Sequence, residues 1–322
     1  MKKKLSVVIP TLNRYEYLRR TIQILLPQIS RNQSRVELVV CTNACTDKTD
    51  QYMKSLITQF PYLVYKKFDE YVEVGASMAR SVNQCTGEYV ILWGDDDVAY
   101  PYFIDYILQV LAEYEDVGVI HLNRLQGKDT KYGLKELKVV NRIFENEFIE
   151  FSLEDLIQSF TLDLGFISSL VFKHKIWDDG KDFFSPTHYG YEFLAIIMNG
   201  AKKQKCLYCN LPVEIQRNPF NRDYSAKWPL YALIGVPNMM SDFDKWGITK
   251  HAFDSWNKAE NRNTIKFIWN LLYTTEKRKF YKPLCCDINK YQYCVLRKVL
   301  TYLIVYLFPR SVFRCLKKSL YR

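Results

Sequence analysis

Short apolar stretches, each ending in a polar turn and followed by helical spacing, fill the first third of the chain. The run from Lys4 to Ile9 stops at a turn, and apolar residues then recur every three or four positions from Tyr17 to Ile29. The pattern returns with strands predicted over Val36 to Cys41, Leu63 to Phe68 and Glu88 to Gly94. Strands that alternate with helices at this spacing predict βαβ units and a parallel sheet, which is the α/β class.

Polar residues follow the predicted first, second and fourth strands. The first strand runs into Pro10 to Arg14, the second into Thr42 and Asn43, and the fourth into Asp95 to Asp97. Because parallel strands end at one edge of a sheet, we expect these side chains to meet there. Adjacent carboxylates need a counter-charge, and oxygen ligands suit Mg²⁺ or Mn²⁺ bridging to a phosphate. A solvated acidic turn is the alternative interpretation of the aspartates taken alone.

Five segments in this order resemble the inverting family 2 glycosyltransferases. The segments are Val7 to Arg14, Cys41 to Asp47, Gly75 to Arg80, Gly87 to Val90 and Asp95 to Asp97. The resemblance covers residues 4 to about 120, is faint from there to about 220, and is absent beyond. It implies the GT-A fold, a Rossmann-like and mostly parallel central sheet, here with a helical C-terminal region.

The resemblance also implies roles for individual residues. In that family the first turn and the end of the second strand hold the nucleotide, and the aspartates after the fourth strand hold a metal ion. The residues expected to bind the nucleotide-sugar are Pro10, Thr11, Asn13, Arg14, Thr42, Asn43, Arg80, Asp95 and Asp96. Asp97 is expected to bind Mn²⁺ or Mg²⁺ directly, with Asp95 as the second carboxylate at the metal. Thr42 stands where the family usually has an aspartate that contacts the base, so uridine, cytidine and guanosine all stay open.

Inverting transfer needs a base that takes the proton of the acceptor hydroxyl. The family usually supplies it from a Glu-Asp pair at the start of a later helix, and the corresponding stretch here, Ser185 to Glu192, has no such pair. His188 and Glu192 are four residues apart and would share one face of a helix opening there. Either is a candidate catalytic base. His188 is also a candidate metal ligand or a buried structural residue.

Length and composition predict a folded protein with a large core. The chain has 322 residues, of which 48% are hydrophobic and 15% aromatic, enough for one large domain with an appendage. We predict a catalytic domain over residues 1–220, with a nucleotide-sugar half at 1–120 and an acceptor half at 121–220, and a helical region over 221–322. Nine scattered cysteines, an odd count, and the lack of a secretory signal predict reduced thiols in the cytoplasm.

Positive charge is concentrated at the end of the chain. The formal net charge is +10, and no acidic residue follows Asp287, whereas eight lysines and arginines do. Among them lies the ten-residue apolar run Val299 to Phe308, too short to span a bilayer. Apolar helices flanked by basic residues suit a membrane surface, and a helix docked on the protein is the alternative. No motif for nucleic-acid recognition is found, so nucleic acid is not expected as a partner.

These features together predict a metal-dependent inverting glycosyltransferase. It would move a sugar from a nucleotide-sugar donor to a glycan or a polyprenyl-linked glycan. By the resemblance, the setting would be bacterial O-antigen or capsule synthesis, at the inner face of the cytoplasmic membrane. One alternative is a nucleotidyltransferase, which would usually carry a glycine in the turn that is here Pro10 to Arg14. The other is a non-catalytic, membrane-associated protein that retains the fold.

Overall fold

A computed structural model describes residues 3–130, 133–218, 227–292 and 294–320. The chain divides into two compact units. The first comprises Met1–Phe184 and Glu192–Phe220, and the second comprises Ser185–Tyr191 and Asn221–Arg322. All the strands among the described residues belong to the first unit. The division of the first unit into donor and acceptor halves stays a prediction.

The first unit is built on a ten-stranded sheet. Its strands are β1 (Leu5–Thr11), β2 (Val36–Thr42), β3 (Leu63–Lys66), β4 (Tyr89–Leu92), β5 (Val98–Ala99), β6 (Val117–Thr130), β7 (Gly133–Val139), β8 (Phe148–Phe151), β9 (Leu170–Lys173) and β10 (Lys205–Asn218). The order is β3-β2-β1-β4-β9-β6-β10-β5, with β7 beside β6 and β8 beside β10. Six of the eight strands in that row run in one direction, and β9 and β5 oppose them. The predicted α/β class and mostly parallel sheet are confirmed.

Helices follow most of the strands of this unit. They are α1 (Tyr15–Arg31), α2 (Thr49–Ile57), α3 (Val74–Val82), α4 (Phe103–Glu113), α5 (Leu153–Phe160), α6 (His174–Gly180) and α7 (Glu192–Gly200). Apolar residues of β1 and β2 share one core with apolar residues of α1 and α4. Every residue of β2 is buried, so both faces of the sheet are covered there. This explains why the strands appear in the sequence as continuous apolar runs rather than as alternating patterns.

The order of strands along the sheet reverses at β1. The chain passes from β1 to β2 and β3 on one side, and then returns to β4 on the other side of β1. Connections that leave a sheet in opposite directions open a crevice at the carboxyl ends of the strands, where α/β proteins bind ligands. The turn after Thr11 and the loop after Leu92 both begin at this crevice.

Two segments differ from the predicted elements. The run Gly165 to Phe172 has the sequence pattern of a buried strand, but the strand begins only at Leu170, because Ile167–Ser169 forms a 3₁₀ turn. Sequence pattern alone did not reveal this turn, since its residues are as apolar and as small as those of a buried strand. The turn places a serine hydroxyl beside the aspartate loop, as described below.

The helix predicted to open near His188 begins four residues later, at Glu192. His188 ends a 3₁₀ turn, and two of the three residues between it and Glu192 have positive φ angles, 39° at Tyr189 and 87° at Gly190. Such angles cannot continue a right-handed helix. The prediction that His188 and Glu192 share one helix face is therefore wrong.

The described part of the second unit is helical. Its helices are α8 (Trp228–Leu230), α9 (Val236–Lys245), α10 (Ala252–Arg262), α11 (Thr264–Leu272), α12 (Arg278–Tyr281), α13 (Cys285–Asn289), α14 (Val295–Leu307) and α15 (Arg310–Leu320). A core that includes Leu271, Ile304 and Phe313 joins α11, α14 and α15. The predicted helical C-terminal region is confirmed. The apolar run noted in the sequence forms most of α14.

Candidate active site

The aspartate loop directly follows β4, at the edge where β1 also ends. Asp95 and Asp97 are only 5% and 3% exposed. Thr11, the last residue of β1, donates its hydroxyl to Asp95 Oδ2 at 2.7 Å. Thr21 of α1 donates its hydroxyl to the carbonyl oxygens of Asp95 at 2.9 Å and of Asp97 at 3.2 Å. These bonds fix the loop against the first strand and the first helix.

Two arginines contact this loop. The Arg14 guanidinium pairs with Asp95 Oδ1 at 3.0 Å and with Asp96 Oδ2 at 2.5 Å. Arg217, near the end of β10, donates its Nε–H to the carbonyl oxygen of Asp96 at 2.9 Å and its backbone N–H to Asp97 Oδ1 at 3.3 Å. Arg217 follows the strand-like run Val213 to Gln216, a position that by sequence alone favours a surface role, whereas the structure places it against the loop. Asp95 and Asp96 thus share one guanidinium, and Asp97 is held by other contacts.

Asp97 has no ion pair with any residue that the structure describes. Its Oδ2 accepts a hydrogen bond from the Ser168 hydroxyl at 2.6 Å, and that hydroxyl accepts one from the Gly94 N–H at 2.8 Å. Burial, with the charge of Asp96 as a second cause, raises the pKa of Asp97 to about 8. Burial also raises the pKa of Asp95 to about 6, although Arg14 opposes this. Asp97 is therefore the carboxylate of the loop that most lacks a compensating cation.

Gly94 makes room for the Asp97 carboxylate. A Cβ atom at position 94 would overlap Asp97 Oδ2, and the Ser168 hydroxyl is also close to that position. Any side chain there would displace the carboxylate from its present place. This crowding explains why position 94 is glycine.

The end of β2 is joined to the segment after β3. The side-chain amide of Asn43 donates to the Val72 carbonyl at 2.8 Å, and its oxygen accepts from the Val72 N–H at 3.0 Å. Arg80 of α3 donates to the same Asn43 oxygen and lies over the Phe68 ring, with its guanidinium carbon 4.2 Å from the ring centroid. The Thr42 hydroxyl accepts from the Phe68 N–H at 3.3 Å. Asn43 and Arg80 are thus joined beside the carboxyl end of β2.

The turn after β1 is fixed by contacts with the segment after β2. Asn13 has a φ of 52°, and its side-chain oxygen accepts from the Thr46 N–H at 2.7 Å. Its own N–H donates to Cys45 Sγ at 3.3 Å. Pro10 lies opposite Cys41 in the parallel ladder between the two strands. All the residues predicted to bind the nucleotide-sugar therefore lie at, or beside, the carboxyl ends of β1, β2 and β4.

The two candidate bases fall in different compact units. Glu192 is 4% exposed, and its carboxylate fills the space where a Cβ atom of Gly75 would lie, in the first turn of α3. Because α3 follows β3, that turn lies at the same edge of the sheet as Thr11. His188 belongs to the second unit, where it is fully buried and its Nε2 is 2.8 Å from Asp242 Oδ2. Burial lowers the pKa of His188, although Asp242 opposes this.

A match to a family model shows which protein family the chain belongs to. The model described as "Glycosyl transferase family 2" matches residues 6–172, which is just over half of the chain. The chain belongs to this family. The matched region runs from β1 through the aspartate loop to β9.

Curated relatives agree with the family 2 assignment. An uncharacterized glycosyltransferase of Nostoc sp. is 30% identical over 127 residues, which is 39% of this chain and 38% of the relative. One from Rickettsia typhi is 26% identical over 115 residues, covering 36% of this chain and 34% of the relative. The chain thus aligns with well under two thirds of the length of these relatives.

Solved structures with the same fold include a nucleotide-sugar complex of TarS and a mannosyltransferase. TarS of S. aureus, in complex with UDP-GlcNAc, matches with a TM-score of 0.55 at 14% identity, covering 98% of this chain and 92% of the other. The mannosyltransferase PcManGT of Pyrobaculum calidifontis, in complex with GDP-Man and Mn²⁺, matches with a TM-score of 0.54 at 15% identity, covering 99% and 88%. At these identities the likeness concerns the fold. The predicted GT-A fold is confirmed.

The donor atoms at the aspartate loop suit a hard divalent cation. Among the described residues, no group of three or more His, Cys, Asp or Glu side chains could hold a metal ion by itself. Asp97, however, is a buried carboxylate without an ion pair to any described residue, and the groups that donate hydrogen bonds to it are a hydroxyl and a backbone N–H. Oxygen ligands are those that Mg²⁺ and Mn²⁺ prefer, with phosphate oxygens and water completing the shell. The residues of this family 2 chain therefore fit such a cation together with a diphosphate.

Sequence reasoning missed Thr21 and Ser168, whose hydroxyls hold the aspartate loop. Thr21 lies on the buried face of α1 among apolar residues, where a threonine gives no functional signal. Ser168 lies more than seventy positions after the loop, and only the antiparallel insertion of β9 beside β4 brings it close. In both cases the contact with the loop arises from tertiary packing, which local sequence patterns do not show.

Proposed function

We propose that this chain is a metal-dependent inverting glycosyltransferase. It would move one sugar from a nucleotide-sugar donor to a glycan or a polyprenyl-linked glycan acceptor. The observation that carries this proposal is the buried Asp97 carboxylate, which lacks an ion pair among the described residues, at the crevice of a family 2 fold. Family membership favours sugar transfer over nucleotidyl transfer and over a non-catalytic role.

The donor would lie across the carboxyl ends of β1, β2 and β4. The residues proposed to hold it are Pro10, Thr11, Asn13, Arg14, Thr42, Asn43, Arg80, Asp95 and Asp96. Structural neighbours in complex with UDP-GlcNAc and with GDP-Man support a nucleotide-sugar as the donor class. The Thr42 hydroxyl already accepts from the Phe68 N–H, and it offers fewer acceptor sites than the aspartate usual in the family, so we expect it to replace the contact to the base only in part.

Asp97 would hold Mn²⁺ or Mg²⁺, with Asp95 as the second carboxylate that the sequence predicts. A neighbour in complex with Mn²⁺ supports a divalent cation. When bound, the cation would neutralise the charge that develops on the departing nucleoside diphosphate. Ser168 and the Arg217 N–H orient the Asp97 carboxylate, and Arg14 balances Asp95 and Asp96 so that the loop is not left with three unopposed charges.

Glu192 is the proposed proton acceptor. It belongs to the first unit, as the aspartate loop does. The next residue is Phe193, which is buried, rather than an aspartate, so only one carboxylate of the family's Glu-Asp pair is present here. We expect Glu192→Gln to lower kcat by about 10²- to 10⁴-fold, with the KM for the donor little changed. Steady-state kinetics with donor and acceptor measure this. A kcat within about threefold of the parent would remove Glu192 from this role.

His188→Gln serves for comparison. It should mainly lower stability, because the His188 ring is buried against Asp242.

A panel of donors tests the proposed function as a whole. UDP-, GDP-, CDP- and dTDP-sugars are added with Mn²⁺, with and without excess EDTA, and scored by thermal shift and slow donor hydrolysis. One nucleotide class should stabilise the protein and be hydrolysed, and EDTA should abolish both effects. Stabilisation that EDTA leaves unchanged would contradict metal dependence. No response from a folded protein to any nucleotide would contradict donor binding.

We also propose that the C-terminal helices attach the enzyme to an anionic membrane surface. Attachment at the inner face of the cytoplasmic membrane would suit a polyprenyl-linked acceptor in O-antigen or capsule synthesis. Seven large apolar side chains of α14 are exposed: Val295, Leu296, Val299, Tyr302, Leu303, Tyr306 and Leu307. No single described helix is long and apolar enough to cross a membrane; α14 and α15 taken together reach that length and composition but are bent by 103°. Basic residues and an apolar face on adjacent helices favour the lipid interface.

Vesicle co-sedimentation tests this attachment. We expect the protein to sediment with vesicles of phosphatidylglycerol and not with phosphatidylcholine. Leu303→Glu, on the exposed face of α14, should weaken binding about tenfold. Ile265→Glu on α11, where the side chain is 83% exposed, is the matched control and should bind like the parent. Equal binding by both variants would mean that α14 does not insert.

A further inference from the structure

A fourth carboxylate near the aspartate loop, that of Glu214 on β10, lies on the same face of the sheet as Asp97. β10 pairs with β5 in antiparallel register, with Glu214 opposite Ala99 and Ile215 opposite Val98. Asp97 directly precedes β5, and continuing this register by one residue would place it opposite Gln216. The Arg217 N–H bond to Asp97 Oδ1 ties the two segments at this point. Residues two apart on a strand, and residues directly opposite, share a face. Glu214 and Asp97 are therefore diagonal neighbours on one face.

Glu214 is buried without any partner for its carboxyl group. Its exposed fraction is 0%, and neither Oε1 nor Oε2 has a hydrogen-bond partner in the part of the chain that the structure describes. Burial, and in second place the charge of Asp97, raises the pKa of Glu214 well above its ordinary value. Buried polar groups in folded proteins are almost always paired, so an unpaired carboxyl group requires an explanation such as a bound ion.

The arginine nearest in the ladder is already engaged elsewhere. Arg124 of β6 lies opposite Glu214 in parallel register. Its two terminal nitrogens donate to the two oxygens of Asp163 at 2.7 and 2.5 Å, and its Nε donates to Gln216 Oε1 at 3.1 Å. All three nitrogens are thus directed at Asp163 and Gln216. A glutamate that served only to balance Arg124 would be expected to receive one of these bonds.

The carboxylates of the aspartate loop also differ in whether they are free to bind a cation. Asp95 and Asp96 share the Arg14 guanidinium, and Asp95 additionally accepts from Thr11. Asp97 and Glu214 have no ion pair among the described residues. The sheet therefore presents two neighbouring buried carboxyl groups that lack a cation, next to a crevice proposed to receive a diphosphate.

We propose that Glu214 is a second protein ligand, together with Asp97, for the divalent cation at this edge of the sheet. The inference rests on the metal dependence in the proposed function and assigns the second ligand to β10 rather than to Asp95. Two carboxylates on adjacent strands would leave the remaining coordination positions to diphosphate oxygens and water, as Mg²⁺ and Mn²⁺ usually require. Asp95 would then serve mainly to position Arg14.

Direct Mn²⁺ binding tests the assignment without relying on activity. Free Mn²⁺ is counted by electron paramagnetic resonance while Mn²⁺ is titrated into the parent, Glu214→Gln, Asp97→Asn and Glu88→Gln, each with and without UDP or GDP. Glu88 is a partly exposed carboxylate at the opposite end of β4 and provides the matched control. We expect Glu214→Gln and Asp97→Asn each to weaken Mn²⁺ binding at least about tenfold, and Glu88→Gln to bind like the parent.

The outcomes separate this inference from the proposed function. Loss of Mn²⁺ binding in Asp97→Asn, with parent-like affinity in Glu214→Gln, would overturn the role of Glu214 and leave metal dependence standing. No Mn²⁺ binding by the parent, with or without nucleotide, would overturn both. Glu214→Met fills the same space without oxygens and replaces the glutamine variant if that variant is not folded by circular dichroism. If Glu214 had only a structural role, its substitution would change the melting temperature but leave the Mn²⁺ affinity of the folded variants unchanged.

Discussion

Asp97→Asn should lower kcat/KM for sugar transfer by about 10³-fold or more, because it removes the charged ligand that would hold the cation at the diphosphate. The substitution keeps the shape of the side chain, but its single amide oxygen can accept from only one of the two donors, the Ser168 hydroxyl and the Arg217 N–H. Steady-state kinetics at saturating Mn²⁺ measure the loss. Asp105→Asn, an exposed position on α4, is the control and should keep parent activity. Activity within about tenfold of the parent would show that Asp97 does not hold an essential cation.

In the metal-free protein, Asp97→Asn should become more stable relative to the parent as the pH rises. In the metal-free protein the pKa of Asp97 is raised from 3.8 to about 8, so the folded state binds this proton more tightly than the unfolded state. The parent's free energy of unfolding therefore receives a contribution that is fully present below about pH 4 and is lost as pH rises toward about 8. Asparagine does not titrate and lacks this loss.

Urea unfolding in EDTA, at pH 5 and at pH 8, measures the effect. We expect the stability of Asp97→Asn, relative to the parent, to be greater at pH 8 than at pH 5. Other carboxylates that titrate in this range, such as Asp95, occur in both proteins and largely cancel in the comparison. An equal difference at both pH values would mean that Asp97 is already ionised in the metal-free protein.

Arg14→Gln should destabilise the protein by about 3 kcal/mol and abolish detectable donor binding, because removing one partner leaves buried carboxylates unpaired. The guanidinium contacts both Asp95, which is buried, and Asp96. Arg19→Gln, in the first turns of α1, which Arg14 directly precedes, removes a partly exposed ion pair with Glu16 and should change the free energy of unfolding by less than about 0.5 kcal/mol.

A second substitution distinguishes charge balance from packing. If the loss in Arg14→Gln arises from unpaired carboxylates, then Asp95→Asn in that background should restore part of the stability. Urea unfolding of the four proteins of this cycle gives the coupling energy directly. A double variant as unstable as the sum of the two single variants would show that Arg14 acts through packing instead.

The parts of the site that lie on β1, β2 and β4 could be predicted from the sequence. Each strand is a continuous apolar run that ends in a polar turn, and parallel strands must end at a common edge. Thr11, Asn43 and Asp95 therefore had to be neighbours once the βαβ pattern was identified. This part of the prediction uses only local patterns and one topological rule.

The rest of the site depends on contacts that local patterns do not encode. Ser168 lies in a 3₁₀ turn that looks like a strand in the sequence, and Glu214 lies in a strand whose neighbours come from three distant segments. The start of α7 was misplaced because the positive φ of Tyr189, a residue that seldom adopts it, ends the preceding turn. Each of these features follows from tertiary packing.

Isothermal titration of the nucleoside diphosphate into the parent and into Asp97→Asn, with Mn²⁺ and with EDTA, tests the central claim most directly. The account predicts that Mn²⁺ tightens nucleotide binding by at least about tenfold in the parent and has little effect in Asp97→Asn. Nucleotide binding that Mn²⁺ strengthens equally in both proteins, or in neither, would contradict a metal-dependent donor site at Asp97.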